Sequence, residues 1–246
     1  MARQTAISIN TIPIGPLGII GMPGCEELTD KIDKYLVKWR KTQASEHAES
    51  IAFFGYQRDT YKIDVSIPRF GSGEGKGVIN ESVRGYDIYI VCDVFNYSCS
   101  YDMYGRKVYM SPDDHFADLK RVISALCSKP KRVSVIMPML YEGRQHKRSS
   151  RESLDCAMAL KELVHLGVEN IITFDAHDQR VQNAIPDKSF ENVMPTYQMI
   201  KALVNNVEDL NVDKDHLMII SPDEGALHRC IYFATQLGVN LGMFYK

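Results

Sequence analysis

"IITFDAHD", residues 171–178, begins as a strand and ends as chemistry. Ile171, Ile172, Thr173 and Phe174 form an apolar run with no polar alternation. Asp175, Ala176, His177 and Asp178 follow at once. A strand that does not alternate is buried on both faces, which is the habit of a parallel sheet covered by helices. The same reading applies to 17–24, to "DIYIVCDV" (87–94), to "RVSVIMPML" (132–140) and to "HLMIISPD" (216–223). Helical patterns stand between these strands. Residues 25–39 place Leu28, Ile32, Tyr35, Leu36 and Trp39 on one face. Residues 113–129, opening on Asp caps, place Phe116, Leu119, Val122, Ile123 and Leu126 on one face. Further helices are predicted over 151–167, 196–204 and 224–238, and a last strand over 240–246. Strands alternating with helices specify an α/β fold with parallel sheets flanked by helices. Such sheets bind ligands beyond the carboxyl ends of their strands. His177 and its two neighbouring carboxylates sit at such an end, and Pro222 and Asp223 sit at another.

Bulk properties narrow the function classes. The chain has 246 residues, enough for one large domain or two small ones. Its net charge of −2 provides no global field toward nucleic acid or an anionic membrane, so an anionic ligand requires a local basic patch. The six cysteines form no CxxC pair and read as reduced core thiols. The N-terminal "MARQTAISINTIPIG" lacks the apolar core of a signal peptide, and a cytoplasmic protein is expected.

Each candidate motif carries a plain structural alternative. In "DAHD" an imidazole beside carboxylates suits a divalent cation bridging to phosphates. The alternative is a helix cap at Asp178 and a hydrogen-bonded His177. In "SPDEGALHR" (221–229), Gly225 permits close backbone approach, and a helix N-terminus could receive an anion. The alternative is a turn that caps the helix. The loop "YEGRQHKRSSRE" (141–152) offers Arg144, His146, Lys147, Arg148 and Arg151 just past a buried strand, where guanidinium forks suit a polyphosphate. The alternative is a solvated basic loop. "GSGEGKG" (71–77) lacks the Lys-Ser/Thr ending of a Walker A motif and reads as a flexible loop. The tyrosine-rich stretch 95–112 reads as an ordered surface insertion, a long loop or small hairpin.

Taken together, these segments resemble the ribose-phosphate pyrophosphokinase (PRPP synthetase) family. "GIIGMPGCEELTDKIDKYL" (18–36) looks like its first strand and helix. "RFGSGEGKGVINESVRGYDIYIV" (69–91) is similar to its RF-S-DGE…INE-x-VRG-x-D segment. "RQHKRSSRE" (144–152), "FDAHDQRVQ" (174–182) and "SPDEGALHR" resemble three further family segments, in the family's order. The resemblance implies a phosphoribosyltransferase-like fold of two related domains, residues 1–190 and the start of a second over 191–246. It implies transfer of the diphosphoryl group of ATP to ribose 5-phosphate, with Mg2+ as cofactor, in a homo-oligomer (dimer or hexamer) that engages neither nucleic acid nor membrane. By that resemblance Phe70, Ser72, Gly73 and Glu74 belong to the loop that contacts adenine, usually from a neighbouring subunit. Arg144, Gln145 and His146 would hold the ATP, His177 and Asp223 would ligate magnesium, and Lys246 would open the catalytic loop. An alternative reading is a non-catalytic regulatory homologue. Ser72 and His146 stand where the family has Asp, and Ala226 replaces a glycine. Stretch 95–112 is longer than the family's connection. The family's ribose 5-phosphate loop would follow Lys246, so the chain is expected to be a fragment.

Overall fold

The apolar strands pair as their non-alternating pattern requires. In the computed structural model, which describes residues 13–42 and 56–244, the central sheet has five strands. They are β1 (Leu17–Gly21), β4 (Asp87–Val91), β7 (Arg132–Met137), β8 (Asn170–Phe174) and β9 (Ser189–Val193), in that spatial order. Every pairing between neighbours is parallel. Ile88, Ile90, Val135 and Ile171 have no exposed surface. The sheet belongs to the first of two compact units, Met1–Val193; the second is Met194–Lys246.

Helices α1 (Glu26–Thr42), α2 (Pro112–Ala125) and α3 (Asp155–His165) complete the first unit's layers. Helix α2 starts at an N-cap Ser111 whose hydroxyl accepts from the Asp114 N–H, while the Asp114 carboxylate accepts from the Ser111 N–H. The cap is therefore Ser111 rather than the aspartates expected from sequence. Phe116, Leu119, Val122, Ile123 and Leu126 are all buried, as the spacing predicted.

Helix α1 differs from expectation. Ile32 and Leu36 pack on the core, but Leu28, Tyr35 and Trp39 are exposed, and the buried positions are Thr29 and Asp33. Polar anchoring turned the helix. The Asp33 carboxylate accepts from the Tyr61 N–H at 2.7 Å and the Thr60 hydroxyl at 2.9 Å. Gly21 leaves room for Thr29, whose Oγ1 would lie 2.6 Å from a Cβ there.

Two ribbons project from this frame. Strands β2 (Val65–Ser66) and β3 (Val78–Ile79) pair antiparallel, and an Arg69–Gly75 bridge continues the ribbon to a tip at 70–74. The stretch 53–70 thus supplies little regular strand, and its first three residues lie outside the described ones. Strands β5 (Ser100–Met103) and β6 (Arg106–Tyr109) form a hairpin within the 95–112 insertion. β9 escaped the sequence reading because "SFENV" carries only partial apolar character, as suits a sheet edge.

The second unit holds α4 (Thr196–Asn206), β10 (Met218–Ser221), α5 (Leu227–Leu237) and β11 (Asn240–Met243). Its two strands pair in parallel through α5, whose C-cap Gly238 adopts φ 69°, a conformation that favours glycine. Cys25, Cys92 and Cys156 are buried, and burial pushes the Cys25 and Cys156 thiols up to about 11. Cys127 is exposed, unlike the core thiol expected of it. Among the described residues no helix is long and apolar enough to cross a membrane.

Candidate functional site

Strands β7 and β8 are neighbours, with Met137 opposite Thr173. The segments that leave their carboxyl ends, 138–154 and 175–178, therefore emerge side by side. This brings two residues singled out from sequence together. The His146 and His177 rings lie 5.2 Å apart, tilted by 54°. His146 Nδ1 is 3.3 Å from Asp178 Oδ2. Asp178 also accepts from the Arg180 backbone N–H at 2.9 Å, Nε at 3.0 Å and Nη2 at 2.5 Å. Hydrogen bonds from the Arg180 guanidinium and backbone hold its carboxyl well below the usual carboxylate range. Asp178 is also the N-cap of a short 3-10 turn, Gln179–Ala184, so the capping alternative holds for this side chain, which also approaches His146.

Asp175 holds the turn through its backbone. It has φ 45°, a left-handed conformation costing an L-residue about 1 kcal/mol. Its N–H donates to the Val193 carbonyl at 3.1 Å, and the Ala176 N–H donates to Asn192 Oδ1 at 2.8 Å. The edge strand β9 thus fixes the path into His177, which is exposed.

The basic loop is rooted at both ends and open in the middle. Tyr141 stacks on Phe116 at 4.2 Å, and its hydroxyl donates to Asp113 at 2.6 Å. Burial and that hydrogen bond push the phenol up from its ordinary range. Gln145 donates its amide to the Ser153 carbonyl at 2.8 Å, bridging the loop. Arg144, Lys147, Arg148 and Arg151 are exposed. Among the described residues none of the four forms an ion pair. Cations left available above a strand end form a ready receptor for a polyanion.

The 70–74 tip is a defined turn. The Phe70 N–H donates to the Glu74 carbonyl at 2.9 Å and the Gly73 N–H to the Phe70 carbonyl at 2.8 Å. The Ser72 hydroxyl donates to Glu74 Oε2 at 2.7 Å, and the Phe70 ring is exposed. Gly73 has φ 91°, which explains its glycine. In the second unit, Asp223 Oδ1 accepts from the Ala226 N–H at 3.0 Å, and the Ser221 hydroxyl donates to the Asp223 carbonyl at 2.7 Å. Asp223 thus serves the turn before α5. Lys246 lies outside the described residues.

Among the described residues no cluster of three His, Cys, Asp or Glu side chains forms a metal cage. An exposed imidazole beside an arginine-engaged carboxylate is too sparse to hold magnesium alone. It fits a magnesium that arrives on phosphate oxygens and keeps part of its water shell.

Residues 17–167 match the family model for the N-terminal domain of ribose phosphate pyrophosphokinase. The chain belongs to this family. It is 26% identical over 188 residues to the ribose-phosphate pyrophosphokinase of Aquifex aeolicus, covering 74% of this chain and 53% of that one. It is 29% identical over 182 residues to that of Helicobacter pylori, covering 71% and 49%. The chain therefore spans about half the length of these curated relatives. The crystal structure of phosphoribosylpyrophosphate synthetase from Mycobacterium smegmatis superposes with a TM-score of 0.69 at 20% identity, over 94% of this chain and 64% of that one. The fold is phosphoribosyltransferase-like.

Proposed function

We propose that this chain is the ATP-binding portion of a ribose-phosphate diphosphokinase, a cytoplasmic enzyme that makes PRPP for nucleotide biosynthesis. One observation carries the reading. The carboxyl ends of adjacent parallel strands present His177 beside a loop with four exposed cations, none of which forms an ion pair among the described residues. In this reading residues 1–190 form the ATP-binding domain and residues 191–246 begin its phosphoribosyltransferase-like partner. Phe70, Ser72, Gly73 and Glu74 meet the adenine. Arg144 and its basic neighbours meet the phosphates, and Gln145 acts by keeping the loop closed on Ser153. His177 and Asp223 would hold magnesium, and Lys246 would stabilise charge on the transferred group. When bound, magnesium would neutralise phosphate charge, while the ribose 5-phosphate 1-hydroxyl attacks the β-phosphorus in line and AMP leaves. The homo-oligomer is part of the same proposal.

Isothermal titration of the chain with Mg-ATP tests it. Binding is expected, weakened about tenfold or more in Arg144→Ala and in His177→Ala with the fold intact by circular dichroism. Absence of Mg-ATP binding overturns the reading. The second reading, a regulatory homologue that assembles with a working synthetase, draws on Ser72 and His146 in place of family aspartates. Assembly with a synthetase without ATP binding would favour it.

A further inference from the structure

The 95–112 insertion has no part in the binding scheme above, yet it reaches into it. Its hairpin leaves the carboxyl end of β4 and is firmly rooted. The Asn96 side-chain amide donates to the Gly24 carbonyl at 3.0 Å, and the Asn96 carbonyl lies 2.8 Å from Nε2 of the buried His115. The Met110 N–H donates to the Cys99 carbonyl at 2.9 Å, and Met110 is buried. The far end of the hairpin lies on the 70–74 turn. The Tyr104 N–H donates to the Gly71 carbonyl at 2.9 Å. A Cβ on Gly73 would lie 3.0 Å from Met103 Sδ and 3.3 Å from the Tyr101 ring.

Arg69 joins hairpin, turn and helix. Its guanidinium lies over the Tyr101 ring, 4.4 Å from the centroid. Nη1 donates to the Gly73 carbonyl at 3.3 Å, and Nη2 to Asp118 Oδ2 at 2.5 Å. The Asp118 carboxylate is buried and accepts Arg121 Nη1 on its other oxygen at 2.5 Å. Gly75 passes directly over this cluster, where a Cβ would lie within 3.1 Å of both guanidiniums and the carboxylate. A planar cation held between an aromatic face and a buried carboxylate has little freedom.

We propose that the β5–β6 hairpin is an internal scaffold that holds the 70–74 turn ready for a nucleobase, with Tyr101 as its positioning residue acting through Arg69. The inference rests on the ATP reading for the identity of the base. The scaffold itself rests on contacts within the chain. It gives each chain a preformed base-contacting turn, whichever copy's nucleotide that turn meets, and it separates nucleobase recognition from phosphate recognition at the β7 and β8 ends.

Titration of the intact chain with two probes, Mg-ATP and Mg-tripolyphosphate, separates these contributions, and hydrogen exchange reads the Phe70 and Gly73 amides. Tyr101→Ala is expected to weaken Mg-ATP about tenfold, leave tripolyphosphate unchanged and speed exchange of both amides. Tyr101→Phe keeps the ring under Arg69, losing only a 3.5 Å hydroxyl contact with Asp114, and is expected to restore both readouts. Arg69→Lys keeps the charge but not the stacking plane, and covers the case in which Tyr101→Ala does not fold. It is expected to show the same selective loss. Unchanged Mg-ATP affinity and unchanged exchange in both variants overturn the inference, as does equal loss of the two probes. A wild-type chain that binds neither probe sinks the ATP reading and the nucleobase role with it. Exchange at Phe70 and Gly73 then still decides whether the hairpin fixes the turn.

Discussion

Strands β4 and β10 read alike in sequence and live in different surroundings. "DIYIV" and "MIIS" are both continuous apolar runs in parallel pairings. Ile88 and Ile90 of β4 have no exposed surface, whereas Met218 and Ile220 of β10 are 51% and 49% exposed. Neighbouring Leu241 and Met243 of β11 are exposed as well. A run of apolar residues records the burial a strand is suited to. Whether that burial is reached depends on how many strands and helices the unit has to cover it. The first unit's central sheet has five strands, and among the described residues the second unit's sheet has two.

The contrast can be broken by mutation. Ile90→Ala removes side-chain volume from a fully buried strand and is expected to destabilise the chain by about 3 kcal/mol in urea unfolding followed by circular dichroism. Asp118→Asn tests the other kind of burial in the same unit. It leaves Arg69 without its carboxylate, and a loss of about 2 kcal/mol is expected in the same measurement. Ile220→Ala, in the second unit, is expected to cost under about 0.5 kcal/mol. A loss there matching that of Ile90 would show that β10 is covered in solution.

The smallest effect is a pH dependence. Arg180 and its backbone N–H lower the Asp178 carboxyl in the folded chain. Its stabilising contribution is therefore complete above the ordinary carboxylate value of about 3.9 and is lost as pH falls through the lowered folded value. Wild type should exceed Asp178→Asn slightly in stability at neutral pH, with the gap closing in acid. Arg180 is largely exposed, so salt should shrink the gap too. A gap that widens in acid would contradict the assignment.

Sequence reading served best where one physical rule dominates. Non-alternating strands placed "DAHD" at a carboxyl end, and that position is what brings His177 to His146. The α2 face followed from spacing, because its apolar residues meet no rival polar anchor. The α1 face did not, because Asp33 and Thr29 grip backbone groups remote or hidden from a periodicity count. The hairpin was legible as one of two options for the insertion, a long loop or a small hairpin, but its seat on the 70–74 turn was not. Its contacts with Gly71 and Gly73 join residues about 30 apart, and no local pattern encodes them. The Gln145 bridge to Ser153 was missed for the same reason. A side-chain amide flanking a basic loop gives no sign of whether it faces a ligand or its own backbone.

The base of the β2–β3 ribbon has a consequence for how this chain can diverge. A Cβ on Gly77 would lie 2.7 Å from the Arg121 carbonyl oxygen, part of a helix backbone that cannot retreat. Gly71, at the tip, has no atom within 4 Å of the same position. Variation is therefore zoned along a few residues of one ribbon. The root is closed to a side chain at Gly77 and the tip at Gly73, whose φ of 91° and seat on the hairpin hold it as glycine, while Gly71 and the exposed Ser72 have room to change. Ser72, standing in place of a family aspartate, lies in that open zone, so a lineage can retune what the tip touches one residue at a time.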